Sequence, residues 1–545
     1  MTAPNLLKYS LITLLGVLLF IPMLGKVHLF DWDEINFAEC AREMIVSGDY
    51  IRMQIDYLPF WEKPPLFIWL QAASMQLFGI NEFAARFPNA LAGVVTLAVL
   101  FYAGKRIVNE KMAGWWALLY AATWLPHFYF KSGIIDPIFN LFIFLAFFQF
   151  YLLGKLKDKT IHAFLSGLFL GLAVLTKGPA AIVIAALSLA VYIVYNKGLW
   201  GYSLKHILLT IVSSFLPFGL WFCLAVLEYG WTYGSWFMGE FITYQIRLFS
   251  TEDAGHGGPF FYHFIVLLIG CFPAAPFLFQ YRRNRSADTE NVRSFSLWMW
   301  ILFWVTLLLF SIVKTKIVHY SSLCYFPLTF LAAVKMYQLS EKTDQLKTVV
   351  KVLLLVVGTL LAILISLLPL VGIYKDLIIP YVDDPFAVGN FQANVSWQYS
   401  EMIWGILYLI GIWCTVFYMR RNFKNAMLIL CLIQIVLIQV TVTHFTPKIE
   451  AYSQRAAIEF FKGLSGKDVY VKVLGYKSYA HLFYTQKTPI PQEAERNEAW
   501  FLEGDLDKPV WFITKNTYAD NLRKYPQVKE IGQQNGFVFF RRDPP

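Results

Sequence analysis

FDWDEINFAECAREMIVSGDYIRMQIDYLPFWEKPP, residues 30–65, is the first polar stretch of the chain, and it follows directly on an apolar run at 7–25. It carries eight acidic residues (Asp31, Asp33, Glu34, Glu39, Glu43, Asp49, Asp56 and Glu62) against three basic ones, Arg42, Arg52 and Lys63. Asp33-Glu34 opens an amphipathic helix: Ile35, Ala38, Ala41 and Ile45 recur at helical spacing and Gly48 supplies a stop. A carboxylate at a helix start has a plain explanation, because it satisfies free backbone N–H groups and suits the helix dipole. Two features ask for more. Acidic residues against a membrane are costly, and a second polar knot, Trp61-Glu62-Lys63-Pro64-Pro65, follows at the same surface.

The membrane is read from composition. Of 545 residues, 57% are hydrophobic, 18% aromatic and only 15% charged, where a soluble domain carries about 25% charged residues. Apolar runs long enough to span a bilayer occur near 7–25, 84–104, 112–129, 137–153, 162–176, 180–195, 205–227, 259–280, 295–312, 320–337, 352–372, 402–419 and 425–443. The expectation is a polytopic α-helical membrane protein with about 13 transmembrane helices. The run 66–79 is too short to cross and is placed at the interface. Residues 7–25 lack a small-residue cleavage site, so they are read as a retained span.

Loop charges orient these spans. One set is basic: Lys105, Arg106 and Lys111; Lys155, Lys157 and Lys159; Arg282, Arg283, Arg285 and Arg293; Lys335, Lys342, Lys347 and Lys351; Arg420, Arg421 and Lys424. The alternate set, 30–65, 228–258 and 373–400, is acidic or mixed. Basic loops stay cytoplasmic, which puts the N-terminus inside and, with an odd number of spans, the C-terminus outside. The net charge of +10 therefore reflects membrane orientation, and no nucleic acid partner is expected. The six cysteines are scattered and without a CxxC, and are read as small apolar residues. From 447 the span-length runs stop. Strands at 468–474, 509–514 and 537–541 alternate with helices at 452–464, 477–485 and 517–525, which predicts a small C-terminal extracytoplasmic α/β domain. The division is then 1–446, a transmembrane domain with outer juxtamembrane helices in 30–80 and 228–258, and 447–545, a periplasmic α/β domain.

In this topology the unusual polar residues share one face. Asp33, Glu34, Glu62 and Lys63 lie on the first outer loop; Lys131 and Asp136 flank the next; Lys177 sits in a tight outer hairpin. Arg247, Glu252, Asp253 and His256 fall on the long outer loop, and Lys314, Lys316, His319 and Tyr320 at a further outer crossing. Cations at a membrane surface suit an anionic headgroup such as a phosphate. Carboxylates beside them suit general-base work or stabilisation of a developing positive sugar. Each has a plainer alternative: Asp136 before Pro137 caps a span, Lys177 snorkels from a helix end, Lys314 and Lys316 anchor at the interface, and His256 is turn chemistry. Glu62 with His256 could hold a divalent cation.

The pattern Asp33-Glu34-x-x-x-Ala38-Glu39-x-x-Arg42-Glu43-Met44-x-x-Ser47-Gly48-Asp49, followed by Glu62-Lys63-Pro64, resembles the first outer loop of the bacterial aminoarabinose lipid A transferases. These are related to protein O-mannosyltransferases in the GT-C glycosyltransferase superfamily. The resemblance continues through Asp136-Pro137, Thr176-Lys177-Gly178, Arg247…His256-x-x-Pro259-Phe260 and Lys314-x-Lys316-x-x-x-Tyr320. It implies a GT-C fold, Asp33 as catalytic aspartate with Asp136 as a second functional acid and Glu34 beside them. It implies donor phosphate binding at Lys63, Arg247 and Tyr320, with Lys177 and Lys316 in support. It also implies a zinc ion at Glu62 and His256, and a sugar carried on undecaprenyl phosphate as donor. Asn36 stands where the family has arginine, and Val318-His319 where it has Pro-Thr.

The expected function is an inverting glycosyltransferase in the bacterial inner membrane, monomeric, acting at the periplasmic face on lipid A. Transfer to protein Ser/Thr or to a surface glycan is the alternative within the superfamily. A secondary transporter is the alternative from another class; it would place charges at mid-span within inverted repeats, whereas here the span centres are nearly free of charge.

Overall fold

Helices make up the chain as far as Glu450 in the computed structural model, which describes residues 3–156, 158–199, 201–248, 257–280, 289–489 and 497–545. In order they begin α1 (Ala3–Phe20), α2 (Asp33–Ser47), α3 (Leu66–Phe78), α4 (Glu82–Ile107), α5 (Glu110–Ala122), α6 (Trp124–Tyr129), α7 (Asp136–Leu153), α8 (Lys159–Lys177), α9 (Ala180–Asn196) and α10 (Leu204–Leu248). They continue with α11 (Tyr262–Gly270), α12 (Glu290–Ile312), α13 (Tyr325–Ser340) and α14 (Thr348–Ile373). Among the described residues eight helices are long and apolar enough to cross a membrane: α4, α7, α8, Leu204–Arg247, α12, α14, Tyr399–Tyr418 and Phe423–Glu450. Leu7–Phe20, Leu66–Phe78 and Ala180–Asn196 are shorter apolar helices. The protein is a polytopic helical membrane protein.

Several expected spans differ from single straight helices. The run 112–129 breaks at Thr123, whose backbone is extended, into α5 and α6. The run 259–280 is α11 followed by a 3-10 turn, Ala275–Gln280; Pro273 and Pro276 withdraw two backbone donors there and cannot continue a helix. The run 320–337 starts as a 3-10 segment, Val318–Cys324, before α13. The helical stretch Phe423–Glu450 runs on past residue 446.

α10 positions much of the polar 30–65 stretch. Gly230 breaks it, with φ 77 and ψ 167, a conformation an L side chain would strain. The arm beyond it packs along the first outer loop: Arg52 Nη1 donates to Tyr233 Oη at 2.9 Å and Gln245 Nε2 to the carbonyls of Trp61 and Glu62 at 3.1 and 2.9 Å. Its first arm lies close against α8, where a Cβ on Gly167 would fall 2.1 Å from the Thr210 carbonyl oxygen. Small residues permit such close helix approach in a membrane.

The last hundred residues carry a sheet of β3 to β6, a two-residue hairpin of β1 (Gln54–Ile55) and β2 (Leu58–Pro59) lying far upstream. The sheet strands are β3 (Tyr470–Leu474), β4 (Val510–Lys515), β5 (Lys529–Gln534) and β6 (Phe537–Arg542), in the order β3-β4-β6-β5. β3 and β4 are parallel, with Tyr470 opposite Val510; β6 is antiparallel to both β4 and β5. β5 was not expected from the sequence. It is an exposed edge strand, and Lys-Glu-Ile-Gly-Gln-Gln has no apolar alternation to reveal it. The sheet unit rests on the outer loop: Leu29 N donates to Tyr484 Oη at 2.8 Å and Tyr57 Oη to the Lys487 carbonyl at 2.7 Å.

Candidate active site

α2 begins without a side-chain cap, after Trp32, whose φ is 71 and ψ −114. The turn is held by Glu34. Its Oε2 accepts the Phe30 N–H at 2.8 Å, and both its oxygens pair with Arg86, at 2.9 and 2.7 Å. Arg86 spends its other donors on the carbonyls of Leu24, Val27 and His28, and Glu34 Oε1 also accepts the Gly133 N–H. Both side chains are buried, and every charge is satisfied, the condition under which a buried ion pair is tolerated. Glu34, read from the sequence beside the catalytic aspartate, is turned away into this junction of α4, the 28–32 turn and the 131–135 loop. Other acids of the stretch are similarly occupied. Glu39 holds Arg42 by two bonds of 2.7 Å, and Glu43 accepts the Asp56 and Tyr57 N–H groups at 2.7 and 2.8 Å.

Asp33, one residue earlier, points the other way. Its Oδ2 lies 3.4 Å from His319 Nε2. The same nitrogen is 3.8 Å from Asp136 Oδ2. Asp136 is the first residue of α7, followed by Pro137, which is pre-set for a first helical position. It does not cap: Oδ1 accepts from Lys177 Nζ at 2.5 Å, and Oδ2 is buried without a hydrogen-bond partner. Lys177 closes α8 and lies over the rings of Tyr320, at 5.2 Å, and Phe139, at 5.6 Å. Lys63 Nζ donates to Glu62 Oε1 at 2.9 Å. Burial alone would lower its pKa, but Glu62, then Asp33, override burial and hold the ammonium well above its ordinary range. For His319 burial wins over the attraction of Asp136 and Asp33, so its pKa is lowered and the imidazole is neutral at pH 7.

Thus Asp33, Lys63, Asp136, Lys177 and Tyr320, drawn from four outer segments, share one site. His319 joins them; in sequence it was only one polar residue of an outer crossing. Gln245 was missed. It is buried, holds the backbone of Trp61 and Glu62, and has its Oε1 against Gly178; no motif marks such a backbone clamp.

One expected phosphate ligand, Lys316, is engaged elsewhere. Lys316 Nζ donates to the carbonyls of Phe310, Ser311 and Val313, at 3.1, 2.7 and 2.5 Å. The unpaired carbonyls at the end of α12 attract it, as the end of a helix attracts any nearby cation. Lys131 does the same for α1, donating to the Pro22 carbonyl at 2.8 Å. Arg247 is exposed on the outer arm of α10, its guanidinium 5.1 Å from the Tyr244 ring. His256, with Glu252 and Asp253, lies outside the described residues. Glu62 is already engaged by Lys63, and among the described residues no three His, Cys, Asp or Glu side chains gather as metal ligands. A zinc ion at Glu62 and His256 is thus not shown among the described residues.

A family model described as Dolichyl-phosphate-mannose-protein mannosyltransferase matches residues 62–221, a range that begins at Glu62-Lys63 and includes Asp136 and Lys177. A protein of Edwardsiella ictaluri named Undecaprenyl phosphate-alpha-4-amino-4-deoxy-L-arabinose arabinosyl transferase is 29% identical over 371 residues, 66% of this chain. The match spans 65% of that relative's own length. Among solved structures, ArnT from Cupriavidus metallidurans in the apo state superposes with a TM-score of 0.76 at 18% identity, covering 99% of this chain and 98% of that one. The same protein bound to undecaprenyl phosphate gives 0.74. The chain resembles these transferases and shares their fold.

Proposed function

We propose that this chain is an integral-membrane glycosyltransferase that moves a sugar from a polyprenyl-phosphate donor to an acceptor at the outer face of the inner membrane. One observation carries the reading. Asp33 and Asp136 face a single imidazole, with Lys63 and Lys177 beside them, at the ends of apolar helices. That arrangement supplies a proton acceptor and paired cations together. Charges at span ends, not mid-span, speak against transport. The names of the relatives, and the undecaprenyl phosphate bound to the Cupriavidus protein, support a lipid-phosphate sugar as donor; lipid A is the acceptor that the first-loop resemblance implies.

The step follows from the charges. The acceptor oxygen attacks the anomeric carbon as the bond from that carbon to the phosphate oxygen breaks. Asp33 takes the hydroxyl proton; an acceptor phosphate would need no strong base. The electron pair leaves on polyprenyl phosphate, whose charge is met by Lys63 and Lys177, with Arg247 reaching from α10. Fixed cations in a buried site contribute a large share of such a rate effect. Glu62 keeps Lys63 charged, Tyr320 packs on Lys177, and Asp136 holds Lys177 while presenting its free oxygen to the reacting sugar. His319 Nε2 stands between the two carboxylates, 3.4 Å from Asp33 Oδ2 and 3.8 Å from Asp136 Oδ2, and spaces them apart.

Inversion at the anomeric carbon, thirteen spans, a cytoplasmic N-terminus, a periplasmic C-terminal domain beginning near 451 and a monomeric state complete the proposal. The mannosyltransferase family match favours one second reading, a protein acceptor. Mass spectrometry of lipid A and of envelope glycans, from cells with and without the chain and with Asp33→Asn, tests both. A sugar-sized mass lost from lipid A supports the first reading. A glycan lost from protein or polymer moves the acceptor, and no change in any glycan overturns the transferase.

A further inference from the structure

Asp31 and Asp33 flank Trp32 yet serve different surroundings. Asp33 faces His319, whereas Asp31 and Trp32 line a separate cavity of about 370 Å³ between the first outer loop, the helices Pro385–Phe391 and Arg455–Leu464, and the sheet unit. The backbone of Trp32 makes the divide, and its positive φ is one that a bulky residue rarely adopts. Strain of this kind persists where the surroundings demand it and clusters at ligand sites. The indole is 47% exposed, so burial of its apolar face does not account for it.

Two lysines open on this cavity. Lys477 Nζ is 5.3 Å from the Trp32 ring, and Lys515 Nζ is 4.5 Å from Phe386 and 5.4 Å from Tyr476. Lys515 lies near enough to Asp31 to attract its carboxylate, and Lys477 rests on the Trp32 and Tyr479 rings. Asp31 and the buried Ser478 complete the polar lining. The volume is that of a small-molecule site, but the chemistry is particular. Paired ammonium groups suit a phosphate, the exposed aromatic faces suit the C–H faces of a sugar ring, and Asp31 with Ser478 suits hydroxyl or amide donors.

We propose that this cavity binds a phosphate-bearing sugar, the headgroup of the acceptor, and holds its hydroxyl toward Asp33. The inference rests on the glycosyltransferase reading. Asp31 and Asp33 are two residues apart, at most about 7 Å between their Cα atoms, so the cavity adjoins the Asp33 site. Lys63 and Lys177 already serve the donor phosphate on the far side of Trp32. Two further lysines on a second cavity fit a second anion.

The test uses the full chain in lipid nanodiscs, comparing wild type with Lys477→Ala/Lys515→Ala. Rates are measured against bisphosphorylated and dephosphorylated lipid A, and binding of each lipid is measured without donor. The double variant is expected to raise KM for the phosphorylated acceptor by about tenfold or more, as for loss of charge-assisted bonds, with kcat and the donor KM nearly unchanged. Lys477→Arg/Lys515→Arg should restore it, and the dephosphorylated lipid should not distinguish the proteins. Competition by millimolar glucosamine 1-phosphate in wild type alone would show that the free phosphosugar suffices; its absence beside a persisting lipid effect assigns the site to the anchored headgroup. An unchanged acceptor KM and affinity in the double variant overturns the proposal while leaving the transferase intact. Lysine-dependent lipid binding without transfer by wild type would keep the site and sink the transferase.

Discussion

His319 Nε2 stands 3.4 Å from Asp33 Oδ2, in contact with the opening turn of α2 although 286 positions separate the two in the chain. The same nitrogen faces Asp136 Oδ2 at 3.8 Å. One imidazole thus stands between two carboxylates, and Asp33 is left partly exposed to a substrate.

Asp33→Asn removes the proton acceptor while keeping the shape. Transfer is expected to fall by about 10²–10⁴-fold, the range of a general base, with membrane insertion and melting temperature unchanged. Residual activity near wild type in a purified transfer assay would remove Asp33 from this role.

The pH profile reports on His319. Burial lowers its pKa below the ordinary 6.5, so the ring stays neutral at pH 7 and takes a proton only as pH falls through that lowered value. Wild-type activity should therefore decline on the acid side below pH 6.5. His319→Gln should lose activity at pH 7.5 but show a shifted or missing acid limb. An acid limb identical to wild type, measured with a phosphate-bearing acceptor titrated separately, would assign it to another group.

Glu34 and Arg86 predict stability, not chemistry. Removing one partner of a buried, satisfied ion pair strands a charge and costs about 3–5 kcal/mol. Arg86→Leu strands the Glu34 carboxylate and Glu34→Gln strands the Arg86 guanidinium, so each should lower the yield of folded protein and its thermal midpoint. Small effects of both by thermal unfolding in detergent would contradict the junction described.

Lys177 and Lys316 should separate cleanly. Lys177→Met is expected to raise the donor KM and lower kcat, because the leaving phosphate loses a cation. Lys316→Met loses only its bonds to the end of α12, about 1 kcal/mol of local stability, and leaves donor kinetics near wild type. A donor KM raised as much by Lys316→Met as by Lys177→Met would return Lys316 to the phosphate site.

Much of this was legible in the residues. Asp33, Lys63, Asp136 and Lys177 stood out because each is a charge beside a long apolar run, where a charge needs a reason. Topology then placed them on one face. What misled was the same rule applied evenly. Glu34 and Lys316 also sit beside apolar runs, and their reason is structural: one ties the 28–32 turn to α4, the other satisfies carbonyls at the end of α12. His319 was marked only as one polar residue at a crossing, with no role assigned, and β5, a polar edge strand, carried no period.

The sequence by itself determined the solvent, and it carries an expected orientation. Apolar length and the sidedness of lysine and arginine are properties of segments, read without knowing which segments touch. Only the tertiary structure decided partners. Lys177 and Lys316 are each a lysine near the end of an apolar helix, and nothing in their neighbours distinguishes them. The difference arises because α7 brings Asp136 to one, while the other finds unpaired carbonyls of its own preceding helix within reach. A buried ammonium pairs with whichever acceptor lies nearest, and that is fixed by how helices pack, not by where they begin.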